Sequence, residues 1–145
     1  MNKDEDSLIL LDTHVWLWLI NGDSRAKSPG FLTLIQKKSL EDAIRVSIIS
    51  IWEIGMLSKK GRIALKPYGA MEWVHQALRF PGISIEPLNC ETAIDSTDLA
   101  GDFHADPADR ILIATARNLN ATLISEDNRI LSYCQKNHLA ARPID

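Results

Sequence analysis

The apolar run Leu8, Ile9, Leu10, Leu11 ends abruptly in Asp12. A short uninterrupted apolar run reads as a strand buried on both faces, so helices must pack over both sides of its sheet. The rest of the chain repeats the theme. After Asp12 the run HVWLWLI predicts a helix stopped by Asn21-Gly22, and residues 31–38 carry apolar side chains at helical spacing. Residues 45–49 read as a second strand, after which Ser50 opens the helix IWEIGMLSKK, closed by Gly61. An amphipathic helix over 68–79 stops at Pro81-Gly82 and is followed by a short strand at 83–85 and a helix over 91–100. Asp106-Pro107 begins a helix running to Asn118, since proline suits the first helical position. Residues 122–124 form the fourth strand, 128–137 the last helix and 141–144 a fifth strand. Strands alternating with helices predict a three-layer α/β fold with a mainly parallel central sheet of four to five strands flanked by helices. With no linker, repeat or low-complexity stretch, residues 1–145 read as one domain, with 1–7 as a flexible tail.

Composition matters here for what it excludes. A chain of 145 residues that is 46% hydrophobic and 24% charged can bury one core and is not extensively disordered. The net charge of −3 gives no long-range attraction for nucleic acid. A nucleic-acid partner would have to be held by a local basic rim or through a bound metal's charge. Cys90 and Cys134 lie far apart without metal-ligand or CxxC spacing, and read as thiols of a reducing compartment. The apolar stretch around Trp16 is too short to cross a bilayer, and the opening MNKDEDS has no signal-peptide core, so a cytoplasmic location without membrane association is expected.

Four acids stand at junctions between elements: Asp12, Glu53, Asp109 and Asp127. If the fold gathers them, their charges repel unless they share protons or hold a divalent cation, with no basic residue to neutralise them. That predicts a Mg²⁺- or Mn²⁺-dependent phosphodiesterase site. Each has a plainer reading. Asp12 and Asp127 suit helix caps, and Ser50 with Glu53 fits the capping-box spacing. Asp106 before Pro107 reads better as a cap, with Asp109 in the first turn of a buried helix. Arg110 would pair with an acid or contact a phosphate, and Glu126 reads as solvated. His14, His75, His104 and His138 lack zinc-ligand spacing, although His104 is a candidate for the pocket mouth near Asp106. Trp16, Trp18, Trp52 and Trp73 read as core or interface rather than as platforms for bases. Lys59, Lys60, Arg62 and Lys66 are either a solvated helix end or a phosphate-contacting rim.

In order along the chain, LLDTHVWLWL, VSIISIWEIGMLSKKGRI, GISIEPL, HADPADRILIATA and ATLISED resemble the PIN-domain family, specifically the VapC-type ribonuclease toxins of bacterial toxin–antitoxin pairs. The resemblance spans nearly the whole chain. It implies a metal-dependent endoribonuclease with Asp12, Glu53, Asp109 and Asp127 as catalytic and metal-binding acids. Thr13 and Ser125 would hydrogen-bond metal waters or substrate phosphate, and Asp106 belongs to a DPxDR variant of the third motif. It further implies an RNA substrate, a homodimer, and an antitoxin whose tail occupies the active-site groove. The apolar surplus of the first helix, with Trp16, Leu17, Trp18, Leu19 and Ile20, would serve such contacts. Competing readings are a non-catalytic binding module on the same fold and a metal-dependent phosphohydrolase of another α/β family. A haloacid-dehalogenase-type phosphatase needs a second Asp where this chain has His14. A receiver-like domain needs a late-strand Lys where it has Ser125-Glu126-Asp127.

Overall fold

The central strand β1 (Ile9–Leu11) is buried along its whole length. The structure is a computed structural model that describes residues 7–65, 67–101 and 106–145. Most of the expected N-terminal tail, together with Lys66 and His104, lies outside the described residues. Four further strands, β2 (Ile44–Ser47), β3 (Ile83–Glu86), β4 (Thr122–Ile124) and β5 (Ala141–Arg142), complete a sheet of order β3-β2-β1-β4-β5. Every described pairing is parallel, with Leu10 beside Arg45 on one flank and Leu123 on the other.

Among the described residues seven α-helices flank it: α1 (Thr13–Asn21), α2 (Pro29–Leu40), α3 (Ile48–Lys59), α4 (Ala70–Ala77), α5 (Cys90–Thr97), α6 (Pro107–Leu119) and α7 (Asn128–Lys136). Side chains alternate across a strand, and β1 divides accordingly. Ile9 and Leu11 join Trp16, Phe31, Ile35 and Trp73 in one apolar cluster, whereas Leu10 joins Leu112, Ile113, Ile130 and Tyr133 in another. Burying each such side chain fully contributes about 1.5–3 kcal/mol, so the strand is pinned from both faces. Among the described residues no helix is long and apolar enough to cross a membrane.

The expected fold class is observed, and the corrections are local. The second strand stops at Ser47, not at Ile49, and α3 starts at Ile48 with Ser47 as its cap, its hydroxyl accepting from Ile49 N–H at 3.1 Å. Ser50 therefore lies inside the helix and opens no capping box with Glu53. The helix expected over 91–100 ends at Thr97, and the one expected over 68–79 occupies Ala70–Ala77. The fifth strand is only two residues long, because Pro143 has no N–H for the ladder and Ile144 N–H goes to Glu126 Oε1 at 3.1 Å. Glu126 is thus exposed but not merely solvated. In α1, Trp18, Leu19 and Ile20 pack against the first cluster, so most of that helix's apolar surplus is used within the chain.

Candidate active site at the carboxyl end of the sheet

The strand order changes direction at β1: the chain builds β2 and β3 on one side, then crosses to β4 and β5 on the other. In open α/β sheets the crevice beyond the carboxyl ends at such a switch point is the usual ligand site. Asp12 follows β1 and Ser125 follows β4, and the two meet there. Ser125 Oγ donates to Asp12 Oδ2 at 2.7 Å, while Thr13 N–H donates to Asp12 Oδ1 at 2.7 Å. Asp12 N–H continues the ladder onto the Ile124 carbonyl oxygen at 3.0 Å, which fixes the backbone from which the carboxylate projects. Asp12 is therefore both the cap of α1 and a buried strand-end acid, and the two readings coexist.

Thr13 brings in α3. Its Oγ1 donates to Glu53 Oε1 at 2.6 Å and shares a hydrogen bond with Ser50 Oγ at 2.8 Å. Ser50 is the residue that sequence reasoning missed. Its sequence context reads as a cap, because Ser47 and Ser50 both precede apolar helical stretches and nothing in that pattern chooses between them.

Asp127 joins through the main chain, its N–H donating to Ser125 Oγ at 3.1 Å. Its side chain caps α7 by accepting from Arg129 N–H at 2.8 Å, and Arg129 Nη2 stands 3.7 Å from Asp127 Oδ2. The expectation of acids without any basic neighbour thus fails at Asp127. Asp106 caps α6, accepting from Asp109 N–H at 3.0 Å. Arg110 Nε donates to the Ser96 carbonyl oxygen at 2.8 Å and ties α6 to α5.

Electrostatics connect Asp109 to the rest. Burial, and then the charges of Asp106, Asp12, Asp127 and Glu53, push its carboxyl up from 3.8 to about 7. Burial also raises Asp12, against the hydrogen bonds from Ser125 and Thr13, with His14 lowering it and Asp127 raising it. Glu53 is raised by burial, lowered by Thr13, and raised again by Asp12 and Asp106. These acids feel one another's charge. As the side chains stand, no three His, Cys, Asp or Glu among the described residues are gathered closely enough to grip one ion directly. Both Asp12 oxygens and one of Glu53 are instead occupied by hydrogen bonds within the chain.

Residues 9–136 match the PIN domain, and the chain belongs to that family. Over 128 residues it is 30% identical to the ribonuclease VapC22 of Mycobacterium tuberculosis, covering 86% of this chain and 91% of that protein. Among solved structures, VapBC2 from Rickettsia felis, bound to a DNA fragment from its promoter, aligns with a TM-score of 0.70 at 14% identity, covering 94% of this chain and 98% of the matched one. PAE2754 from Pyrobaculum aerophilum aligns with a TM-score of 0.63 at 13% identity, covering 95% and 90%. At these identities the two structures bear on the fold alone.

Proposed function

We propose that this chain is a VapC-type endoribonuclease, the toxin of a toxin–antitoxin pair. It would hydrolyse RNA phosphodiester bonds with water as the nucleophile and with Mg²⁺, or Mn²⁺ in its place, as cofactor. The observation that carries this reading is the junction at the switch point: Asp12 held by Ser125 from β4, Glu53 tied in by Thr13, and Asp109 ionising in the field of all the other acids. The 30% identity to a ribonuclease supports the choice of RNA.

The donor set fits the cation. All the candidate ligands, Asp12, Glu53, Asp109 and Asp127, offer hard carboxylate oxygens, which suit Mg²⁺ or Mn²⁺ rather than softer metals. Mg²⁺ keeps several waters when the protein supplies few ligands, so these acids need not crowd onto one ion. When bound, the cation supplies the charge that lowers the pKa of the attacking water and offsets charge developing on the phosphoryl oxygens. The chain's own residues prepare the site. Ser125 and the Thr13 N–H fix both oxygens of Asp12, so that carboxylate needs little reorganisation. Thr13 holds Glu53 towards the same centre. Asp109, whose carboxyl is pushed up to about 7 by burial and by its acidic neighbours, gains from a neighbouring cation.

A homodimer and a small antitoxin complete the reading. Homodimerisation would draw on apolar side chains left outside the core, such as Met71 and Ile94, 67% and 69% exposed. An antitoxin Arg or Lys entering the acid pocket would replace the cation's charge and silence the enzyme. The deciding experiment is cleavage of structured and unstructured RNAs with Mg²⁺, Mn²⁺ or chelator, with Asp12→Asn as control. Internal cleavage that needs the metal and is lost in Asp12→Asn is expected. Equal cleavage in chelator, or by the variant, would overturn the proposal.

A further inference from the structure

α3 leaves an apolar face in solvent beside the acids. Ile48, Trp52 and Met56 follow one another at four-residue spacing and so line one side of the helix. Ile48 is 40% exposed and Trp52 57%. The other fates open to a tryptophan are visible in the same molecule. Trp16 and Trp73 are buried against each other, ring centroids 5.0 Å apart, and Trp18 is covered by Arg25 at 4.3 Å. Trp52 instead forms a wall of a cavity of about 280 Å³ between α3 and the start of α6. Ile49, Met56, Pro107 and Ala108 give that cavity its apolar lining. Glu53 and Asp106 also line it, which makes it continuous with the candidate active site.

The same helix face then turns basic. Lys59 lies seven residues beyond Trp52, two helical turns or roughly 10 Å along the axis, and points within about 20° of it. Lys59 and its neighbour Lys60 are both exposed. An apolar peptide would cover Trp52 and Met56 but leave those cations unmatched. A single-stranded polynucleotide matches both halves, because it carries flat apolar bases on a chain of regularly spaced negative charge.

We propose that this face of α3 is the track for an unpaired stretch of RNA. One base stacks on the Trp52 ring in the cavity, and the phosphates beyond it run over Lys59 and Lys60. The inference rests on the nuclease reading for where the scissile phosphate lies, beside Glu53. It assigns to Trp52 and Lys59 the holding of that strand, since a base inside a duplex has no face to offer Trp52.

The test uses the full chain and its Trp52→Ala, Trp52→Phe and Lys59→Ala variants. One arm measures affinity for a short fluorescein-labelled oligodeoxyadenylate, which lacks the 2′-hydroxyl of RNA, by anisotropy without divalent metal. A hairpin duplex serves as the comparison. The other arm measures RNA cleavage with Mg²⁺. Trp52→Ala is expected to weaken single-strand binding roughly 5- to 150-fold, with Trp52→Phe recovering most of it, and to raise KM for unpaired RNA more than it lowers kcat. Lys59→Ala should make the salt dependence of binding shallower, by about 0.7 in the log–log slope. Circular dichroism melts matching the wild type would assign these losses to contact rather than to folding.

Wild-type single-strand affinity in Trp52→Ala would overturn the inference. If Asp12→Asn still abolishes cleavage in that case, the nuclease reading survives alone. A wild type that cleaves no RNA but loses strand affinity in Trp52→Ala would sink the nuclease reading and keep the binding track. Unchanged strand affinity together with loss of dimer or antitoxin binding would assign the face to protein and refute the RNA track.

Discussion

Replacing Asp109 by Asn should stabilise the metal-free protein, and only above the ordinary carboxylate range. Asp109 carries the most informative electrostatics in the site, because its carboxyl is pushed from 3.8 to about 7 by burial and by four neighbouring acids. Ionising it in the folded protein costs about 4 kcal/mol more than in the unfolded chain if that displacement is taken at full value. The residue is only half-buried, so solvent screening reduces this to about 2 kcal/mol. The sign follows from proton binding. The folded chain holds the proton that the unfolded chain releases, so this stabilisation is complete below 3.8 and is lost as pH rises through about 7.

Asn removes the charge with little change of volume and has no such pH dependence. In chelator at about pH 8, Asp109→Asn should therefore melt roughly 4–8 °C above the wild type, and the gap should close towards pH 4. The assay is thermal unfolding followed by circular dichroism across that range, both proteins side by side. A gap that stays constant with pH would show that Asp109 does not ionise in the field of the other acids. The electrostatic half of the site would then be wrong, whatever the activity of the variant. Mg²⁺ added at about pH 8 should raise the wild-type midpoint and narrow the gap, because a bound cation removes the same repulsion.

Three further outcomes follow from specific contacts. Thr13→Val deletes the 2.6 Å hydrogen bond that favours the charged form of Glu53, so the acidic limb of the pH–rate profile should move to higher pH with the fold intact by circular dichroism. Ser125→Ala takes a donor from a buried carboxylate, a loss of about 1.5–3 kcal/mol for a charge-assisted bond. Urea unfolding should show it, and Asp12→Asn in the same background should recover part of it. Gly82→Ala would place a Cβ 2.5 Å from the Ser39 backbone at φ +85, whereas Gly61→Ala at φ +69 meets nothing within 4 Å. Gly82→Ala should therefore cost at least about 2 kcal/mol more in urea unfolding than Gly61→Ala.

How far the chain could be read from its letters depended on what each letter reports. The runs around Leu10 and Leu123 announce strands because a doubly covered strand has no polar position to interrupt it, and the residues observed in β1 and β4 are those runs almost to the letter. β5 is different: Ala141 and Arg142 are only half-buried, and what ends the strand is the missing N–H of Pro143. Trp52 reads like the other tryptophans in the sequence, because composition does not say which side of a helix faces water. Only the packing of α3 against α1, α4 and α6 leaves it exposed.

The displaced start of α3 shows why the candidate acids are easier to pick out from the chain than the groups that hold them. Ser47 and Ser50 are three residues apart, and either satisfies the chemistry of a cap. The strand decides between them. β2 runs only to Ser47, paired in register with Glu86, so the helix must begin at once and Ser47 takes the free N–H of Ile49. Ser50 then falls one turn into α3, buried, with its hydroxyl against Thr13. Had the helix begun at Ser50, its hydroxyl would have been spent on backbone and Glu53 would have turned back to complete the cap. Starting three residues earlier frees Glu53 to take the Thr13 hydroxyl, and so joins α3 to the end of β1. The register of one strand thereby determines whether that glutamate is a structural cap or a member of the acid cluster.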